Sequence, residues 1–236
     1  MKKLQSVLDK LEKCCNPVSI FLYGSRARTD FLKRSDFEIG VLIPKRRYVG
    51  RSEIKKLINE KGFNIYPFEY EDFLKYKIDT PFQKTIYLRD LILSGRTLRG
   101  KKVIENMKPP EIRDLDVIQR IRFDLGFALA SIISYRNDDK ITASLEFSKS
   151  CLFGTRCLEI LKLKKFPLTY NEIYNLSKNL KLGEYQALVK NAYNLRLGKI
   201  KLKEEYLFKN ISFLNEFIEP KLVIYFERYG NKILIK

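Results

Sequence analysis

The chain has 236 residues, 45% of them apolar and 31% charged, enough for one large domain or two small ones with an ample core. Lys and Arg number 46 against 28 Asp and Glu, a formal charge of +18, and histidine is absent. Histidine metal ligands, a Ser–His nucleophile and histidine acid–base catalysis are thereby excluded, whereas a metal-and-carboxylate mechanism is not. The charge fits a polyanionic partner such as RNA or tRNA, and it equally fits the lysine-rich composition of hyperthermophiles.

The N-terminal MKKLQSVLDKLEK begins with lysines as a signal peptide does, but Asp9, Lys10, Glu12 and Lys13 interrupt any apolar core. It reads instead as an amphipathic helix over residues 2–13, with Leu4, Val7, Leu8 and Leu11 on one stripe. No apolar run approaches the ~18 residues of a membrane-spanning helix, so no membrane association is expected. The four cysteines, Cys14, Cys15, Cys151 and Cys157, have no zinc spacing and read as buried free thiols of a reducing cytoplasm.

A strand over residues 19–23 stops at Gly24-Ser25, and Asp36 and Glu38 open the next apolar run, a strand over 36–44. A buried strand ending in Gly-Ser delivers backbone N–H groups and one hydroxyl to a phosphate. Carboxylates at i and i+2 of a strand share a face and suit a divalent cation. Together they are the layout of a nucleotide-handling enzyme. A short helix from Arg26 lies between the two strands. A helix over 52–61 capped by Ser52, a strand over 62–68, a helix over 81–95 and a basic segment over 96–102 follow.

These residues resemble the DNA polymerase-β-like nucleotidyltransferase superfamily, whose signature runs strand, Gly-Ser, short helix, then Asp-x-[Asp/Glu] on the following strand. Ala27-Arg28 is similar to the branch that includes the minimal and kanamycin-type enzymes, and the segment 91–100 is similar to the end of that domain. The resemblance covers about residues 1–105 and implies an α/β nucleotidyltransferase domain with a small mixed sheet. It implies that Gly24 and Ser25 cradle the phosphates of a nucleoside triphosphate and that Asp36 and Glu38 bind Mg²⁺ and carry catalysis. Arg26 and Arg28 then contact phosphate, or Arg28 pairs with Asp30 or Asp36 and orders the loop.

The family carries a third acid on a later strand, for a second metal ion or as base toward the acceptor hydroxyl. Here that position falls on Asn64, which is no base and a weaker Mg²⁺ ligand. Glu69 is the nearest acid; it falls on the opposite side of a regular strand, unless Pro67 re-aims it. A second ion depends on which of the two serves.

After Pro109-Pro110, residues 111–228 lack strand alternation and read as helices. Val117, Ile121, Leu125, Leu129 and Ile132 form one stripe, Leu145, Leu152, Leu158 and Leu161 another, and further helices fit 170–180, 184–197 and 204–225. The expected organisation is a catalytic domain over 1–108 and an all-α bundle for acceptor or partner binding over 111–236. This is similar to kanamycin-type enzymes and to nucleotidyltransferases paired with HEPN bundles, although the missing histidine argues against a HEPN ribonuclease. The expected activity is transfer of a nucleoside monophosphate from a nucleoside triphosphate to a hydroxyl, with release of pyrophosphate. The alternatives are a degenerate nucleotide- or RNA-binding module, and an assembly partner using the bundle as interface.

Overall fold

The computed structural model describes residues 2–28, 30–32, 35–80 and 83–236. The chain divides into two compact units, Met1–Pro109 and Pro110–Lys236.

The first unit runs α1 (Lys2–Cys15), β1 (Ser19–Tyr23), α2 (Ser25–Arg28), β2 (Phe37–Ile43), a 3₁₀ turn, α3 (Arg51–Leu57), β3 (Phe63–Glu69), α4 (Tyr70–Leu74), α5 (Lys84–Ser94), β4 (Arg96–Gly100) and α6 (Val103–Asn106). The sheet order is β3-β2-β1-β4, with β1 antiparallel to β2 and β4, and β2 parallel to β3. β1 and β2 are nearly continuous apolar runs because both faces of the sheet are covered. On one face Ile20, Ile39, Val41, Ile43 and Ile65 pack with Val7, Leu8 and Leu11 of α1 and Ile54 of α3. On the other, Phe21, Tyr23, Leu42 and Phe68 pack with Leu88, Leu91 and Ile92 of α5. Gly40 faces Phe21 across the β1–β2 pair, and a Cβ there would run into the Phe21 ring.

Four expectations change here. The basic segment at 96–102 contains a fourth strand, which carried no apolar signal because all of its residues retain solvent contact. α3 starts one residue earlier than Ser52; Gly50 is its cap, and the Glu53 carboxylate accepts the Gly50 N–H at 3.2 Å. Of the helix expected over 81–95, Pro81 and Phe82 lie outside the described residues; α5 begins after Gln83, whose side chain accepts the Ile86 N–H at 2.6 Å. Cysteines 15, 151 and 157 are buried free thiols, but Cys14 is exposed.

The second unit is mostly helical. α7 (Asp114–Arg136) and α8 (Lys140–Leu163) form a hairpin through residues 137–139. α9 (Tyr170–Ser177), α10 (Tyr185–Arg196), α11 (Glu204–Ser212) and α12 (Glu219–Tyr229) complete it, the last two joined by a π-helical stretch, Phe213–Ile218. Thr169 and Glu172 exchange side-chain to backbone hydrogen bonds as the capping box of α9. The all-helical reading missed a two-stranded antiparallel pair, β5 (Ile112–Arg113) with β6 (Ile233–Ile235), too short to show alternation.

The stripe expected on α7 is also turned. Leu129 is half exposed, while the buried face carries Val117, Ile121, Ala128 and Ser131 together with Arg120 and Asp124. Arg120 and Asp124 form a buried bidentate pair at 2.9 and 2.7 Å. Apolar periodicity cannot register an inward face that contains a paired charge.

Glu159 on α8 is fully buried and neither carboxylate oxygen has a hydrogen-bond partner. Burial pushes its pKa up from 4.5 to about 8, against the pull of the Arg156 charge. The folded chain therefore holds this proton between those two values, and stability is lost as pH rises through about 8. Glu159→Gln should remove that part of the pH slope and gain on the order of 1 kcal/mol at pH ~9, about 2–4 °C in Tm. Thermal unfolding of both proteins between pH ~5 and ~9 checks this, and parallel profiles would contradict it.

Candidate active site

β1 ends at Tyr23, and the chain turns into α2 through Gly24, whose φ of +72° favours glycine. The turn is closed by the Ala27 and Arg28 N–H groups, both bonding the Gly24 carbonyl at 3.1 Å. The Gly24 N–H donates to the Ser94 hydroxyl of α5 at 3.4 Å, tying the turn to the helix behind it. Ser25 and Arg26 open α2, so their N–H groups have no intrahelical acceptor. Glycine is required at 24 for a second reason: a Cβ there would overlap the Glu38 carboxylate. Glu38 stands opposite Tyr23 across the β1–β2 pair and is thus laid against the phosphate turn.

The parallel β2–β3 register sets Glu38 beside Asn64. Asp36, two residues before Glu38, accepts a hydrogen bond from the Asn64 amide, Nδ2 to Oδ2 at 3.0 Å. Asp36, Glu38 and Asn64 therefore share one face at one end of the sheet. Behind Glu38 stands a tyrosine wall. The Tyr23 and Tyr87 hydroxyls are 3.0 Å apart, and Tyr66 meets the Tyr23 ring edge-on at 6.1 Å. Burial first, and the Glu38 charge among lesser causes, push the pKa of Tyr23 and Tyr87 up, so both stay protonated.

The other candidates are placed elsewhere. β3 keeps its register through Pro67, which sits opposite Val41, so the strand is not re-aimed. Glu69 lies five residues beyond Asn64, about 17 Å along the strand, on the opposite side of its pleat. It is 3.7 Å from Lys45. Arg28 lies 3.4 Å from Asp30, both largely buried, the pairing expected of the loop-ordering alternative. Arg26 donates from Nε to the Ser35 carbonyl at 2.8 Å, and its guanidinium packs between the rings of Phe31 and Phe37. Phe37 belongs to the face of β2 opposite Glu38. The structure thus groups Gly24, Ser25, Asp36, Glu38 and Asn64, and engages Glu69, Arg26 and Arg28 with other partners. The tyrosines and Ser94 were not singled out in the sequence. Tyr66, two positions after Asn64, and Tyr23, beside Gly24, could have been found by strand alternation; Tyr87 and Ser94 on α5 could not.

The donor set of Asp36 and Glu38 is all-oxygen carboxylate, suited to a hard divalent cation. Among the described residues no cluster of three or more His, Cys, Asp or Glu side chains that could hold a metal ion forms. These residues fit one ion whose remaining positions are filled by ligand oxygens.

Residues 1–93 match the family model described as "Nucleotidyltransferase domain". Among solved structures, the chain is similar to spectinomycin adenyltransferase from Enterococcus faecialis, determined with ATP and spectinomycin, at 16% identity and a TM-score of 0.56. The likeness covers 90% of this chain and 98% of that one. No curated protein matches. The first unit therefore carries the nucleotidyltransferase fold to which the residues between 24 and 38 pointed. Among the described residues no helix is long and apolar enough to cross a membrane.

Gly24→Ala should destabilise the protein by about 1–3 kcal/mol, since the left-handed backbone and the Glu38 contact both oppose a side chain. Urea unfolding measures it; an unchanged midpoint and slope would contradict this packing.

Proposed function

We propose that the protein is a Mg²⁺-dependent nucleotidyltransferase that moves a nucleoside monophosphate from a nucleoside triphosphate to a hydroxyl, releasing pyrophosphate. The observation that carries this reading is the seating of the Glu38 carboxylate on the Gly24 turn, with Asp36 on the same face, inside the stretch that matches the nucleotidyltransferase family. In this reading Ser25 and the first amides of α2 bind and orient the phosphates, and Asp36 and Glu38 hold the ion. Mg²⁺ supplies charge neutralisation on the triphosphate and on the departing pyrophosphate. The acceptor oxygen forms a bond to the α-phosphorus as the bond from that phosphorus to the pyrophosphate oxygen breaks. The hydroxyl proton passes to solvent, because the Asn64 amide is not a base. ATP is the nucleotide expected first, since the spectinomycin adenyltransferase was determined with it. The second unit, residues 110–236, is assigned to recognition of the acceptor or a partner.

Asn64 also supports a second reading, a nucleotide-binding module without turnover. Its amide occupies one oxygen of Asp36 where a third acid would stand. Phosphoryl transfer depends more on positioning and charge than on a strong base, so the loss slows the reaction instead of forbidding it. A general base is worth ~10²–10⁴-fold.

Pyrophosphate release with each of four nucleoside triphosphates and Mg²⁺, beside calorimetric nucleotide titration, decides between the two. Release by the natural protein and none by Asp36→Asn/Glu38→Gln is the expected result. Binding without release would establish the module. Asn64→Asp is expected to raise turnover by about 10²-fold, the lower end of what a base supplies. Unchanged turnover in that variant would show that position 64 does not limit the reaction.

A further inference from the structure

The face of the sheet opposite Glu38 carries a cleft of about 740 Å³ that begins at Asp36 and runs between α1 and the start of β3. Four cations line it, Lys2, Lys3, Arg26 and Lys61, and Asp36 is its one acid. None of the four cations makes an ion pair among the described residues, although acids are available nearby; Glu60, next to Lys61, pairs with Lys10 instead. Four cations around one hollow set a positive potential there, which favours a ligand that is itself multiply anionic. On the other side of Asp36 a smaller hollow of about 180 Å³ adds Arg51 and Lys55, with Lys61 shared between the two.

The floor of the cleft is apolar and flat. Phe37 and Phe63 stack with centroids 5.0 Å apart and planes 12° from parallel. The Arg26 guanidinium lies over the Phe37 ring at 4.1 Å and over the Phe31 ring at 4.9 Å. Phe31, beside the cleft, is 45% exposed, so an aromatic residue with solvent contact stands at that end of the group. Cations spaced along a hollow beside an open aromatic stack are the combination that holds a single nucleic-acid strand: phosphates on the cations, a base on the ring. A duplex presents no unstacked base to such a ring.

We infer that this cleft binds single-stranded nucleic acid, with the strand lying over the stack formed by Phe31, Arg26, Phe37 and Phe63. The strand's end reaches Asp36, which would present a terminal hydroxyl to the carboxylate pair; that last clause, and no other, rests on the nucleotidyl-transfer reading. A strand brings more phosphates to the cations than a free nucleotide does, so length should matter.

The test is fluorescence anisotropy of a labelled 12-nucleotide single-stranded RNA, without nucleotide or Mg²⁺, so that catalysis plays no part. Affinity should fall with salt at a log–log slope of roughly −3, from ~0.7 per phosphate over four cations. Lys2→Glu/Lys61→Glu should weaken binding at least ~10-fold and shorten the slope by roughly 1.4. Phe31→Ala should weaken it about 10-fold with the slope unchanged, as loss of one stacked base predicts. Lys199→Glu/Lys201→Glu, the same charge change at exposed residues of the second unit, should leave the first-order affinity within about 2-fold; circular dichroism confirms folding of all three. Equal weakening by both lysine pairs would overturn the proposal in favour of diffuse charge. No binding, or displacement of the RNA by a mononucleotide at equal phosphate concentration, would overturn it as well. A pyrophosphate-release failure with RNA binding intact would count against the transferase reading alone.

Discussion

The architecture of the first unit turns on one contact, the carboxylate of Glu38 laid against a residue without a side chain. The antiparallel register of β1 and β2 sets Tyr23 opposite Glu38, and the next residue, Gly24, turns the chain away with a left-handed φ. Shift that register by one residue and Glu38 moves to the α1 face of the sheet, while an isoleucine replaces it against the turn. The register is fixed where the side chains are large: Phe21 fills the space above Gly40, and Leu42 and Phe68 surround it on the same face. Packing of the core and placement of the carboxylate are therefore one constraint. The Ser94 hydroxyl and the Tyr23–Tyr87 hydroxyl pair fasten the same turn to α5.

The parallel pairing of β2 with β3 then decides what stands next to the carboxylates. It brings Asn64 to Glu38 and its amide to Asp36, and it carries Glu69 to the far end of the strand beside Lys45. An amide donor in this place holds Asp36 in a fixed orientation and adds no negative charge. In the proposed chemistry this distinguishes a site with two acids from one with three: affinity for nucleotide survives, and the acceptor hydroxyl loses the group that would take its proton. The cations around Asp36 act in the opposite electrostatic sense. They draw anionic ligands to both faces of the same sheet end, which two carboxylates without counter-ions would repel.

Much of this was legible in the sequence because buried strands and glycine turns leave strong marks. The run from Ser19 to Tyr23, the stop at Gly24-Ser25 and the Asp36/Glu38 alternation marked the sheet end and the face its carboxylates share, and the odd offset from 64 to 69 marked the side on which Glu69 falls. What stayed hidden was structure whose residues do not alternate. β4 is a basic edge strand held by backbone pairing to β1, without a buried side chain to betray it. The inward face of α7 contains Arg120 and Asp124, so its apolar residues point to the wrong stripe. Arg26 was read as a phosphate ligand from its place beside Gly24-Ser25. Its long side chain lies over the Phe37 ring of the phenylalanine stack, which no spacing rule anticipates.

In the proposed chemistry Asn64 leaves a nucleotide site for one divalent ion. The direct measurement is the stoichiometry of Mn²⁺ bound per chain in the presence of a non-hydrolysable nucleoside triphosphate, read by electron paramagnetic resonance. One ion is expected for the natural protein and two for Asn64→Asp. Two ions in the natural protein, or none beyond those held by the nucleotide alone, would contradict it.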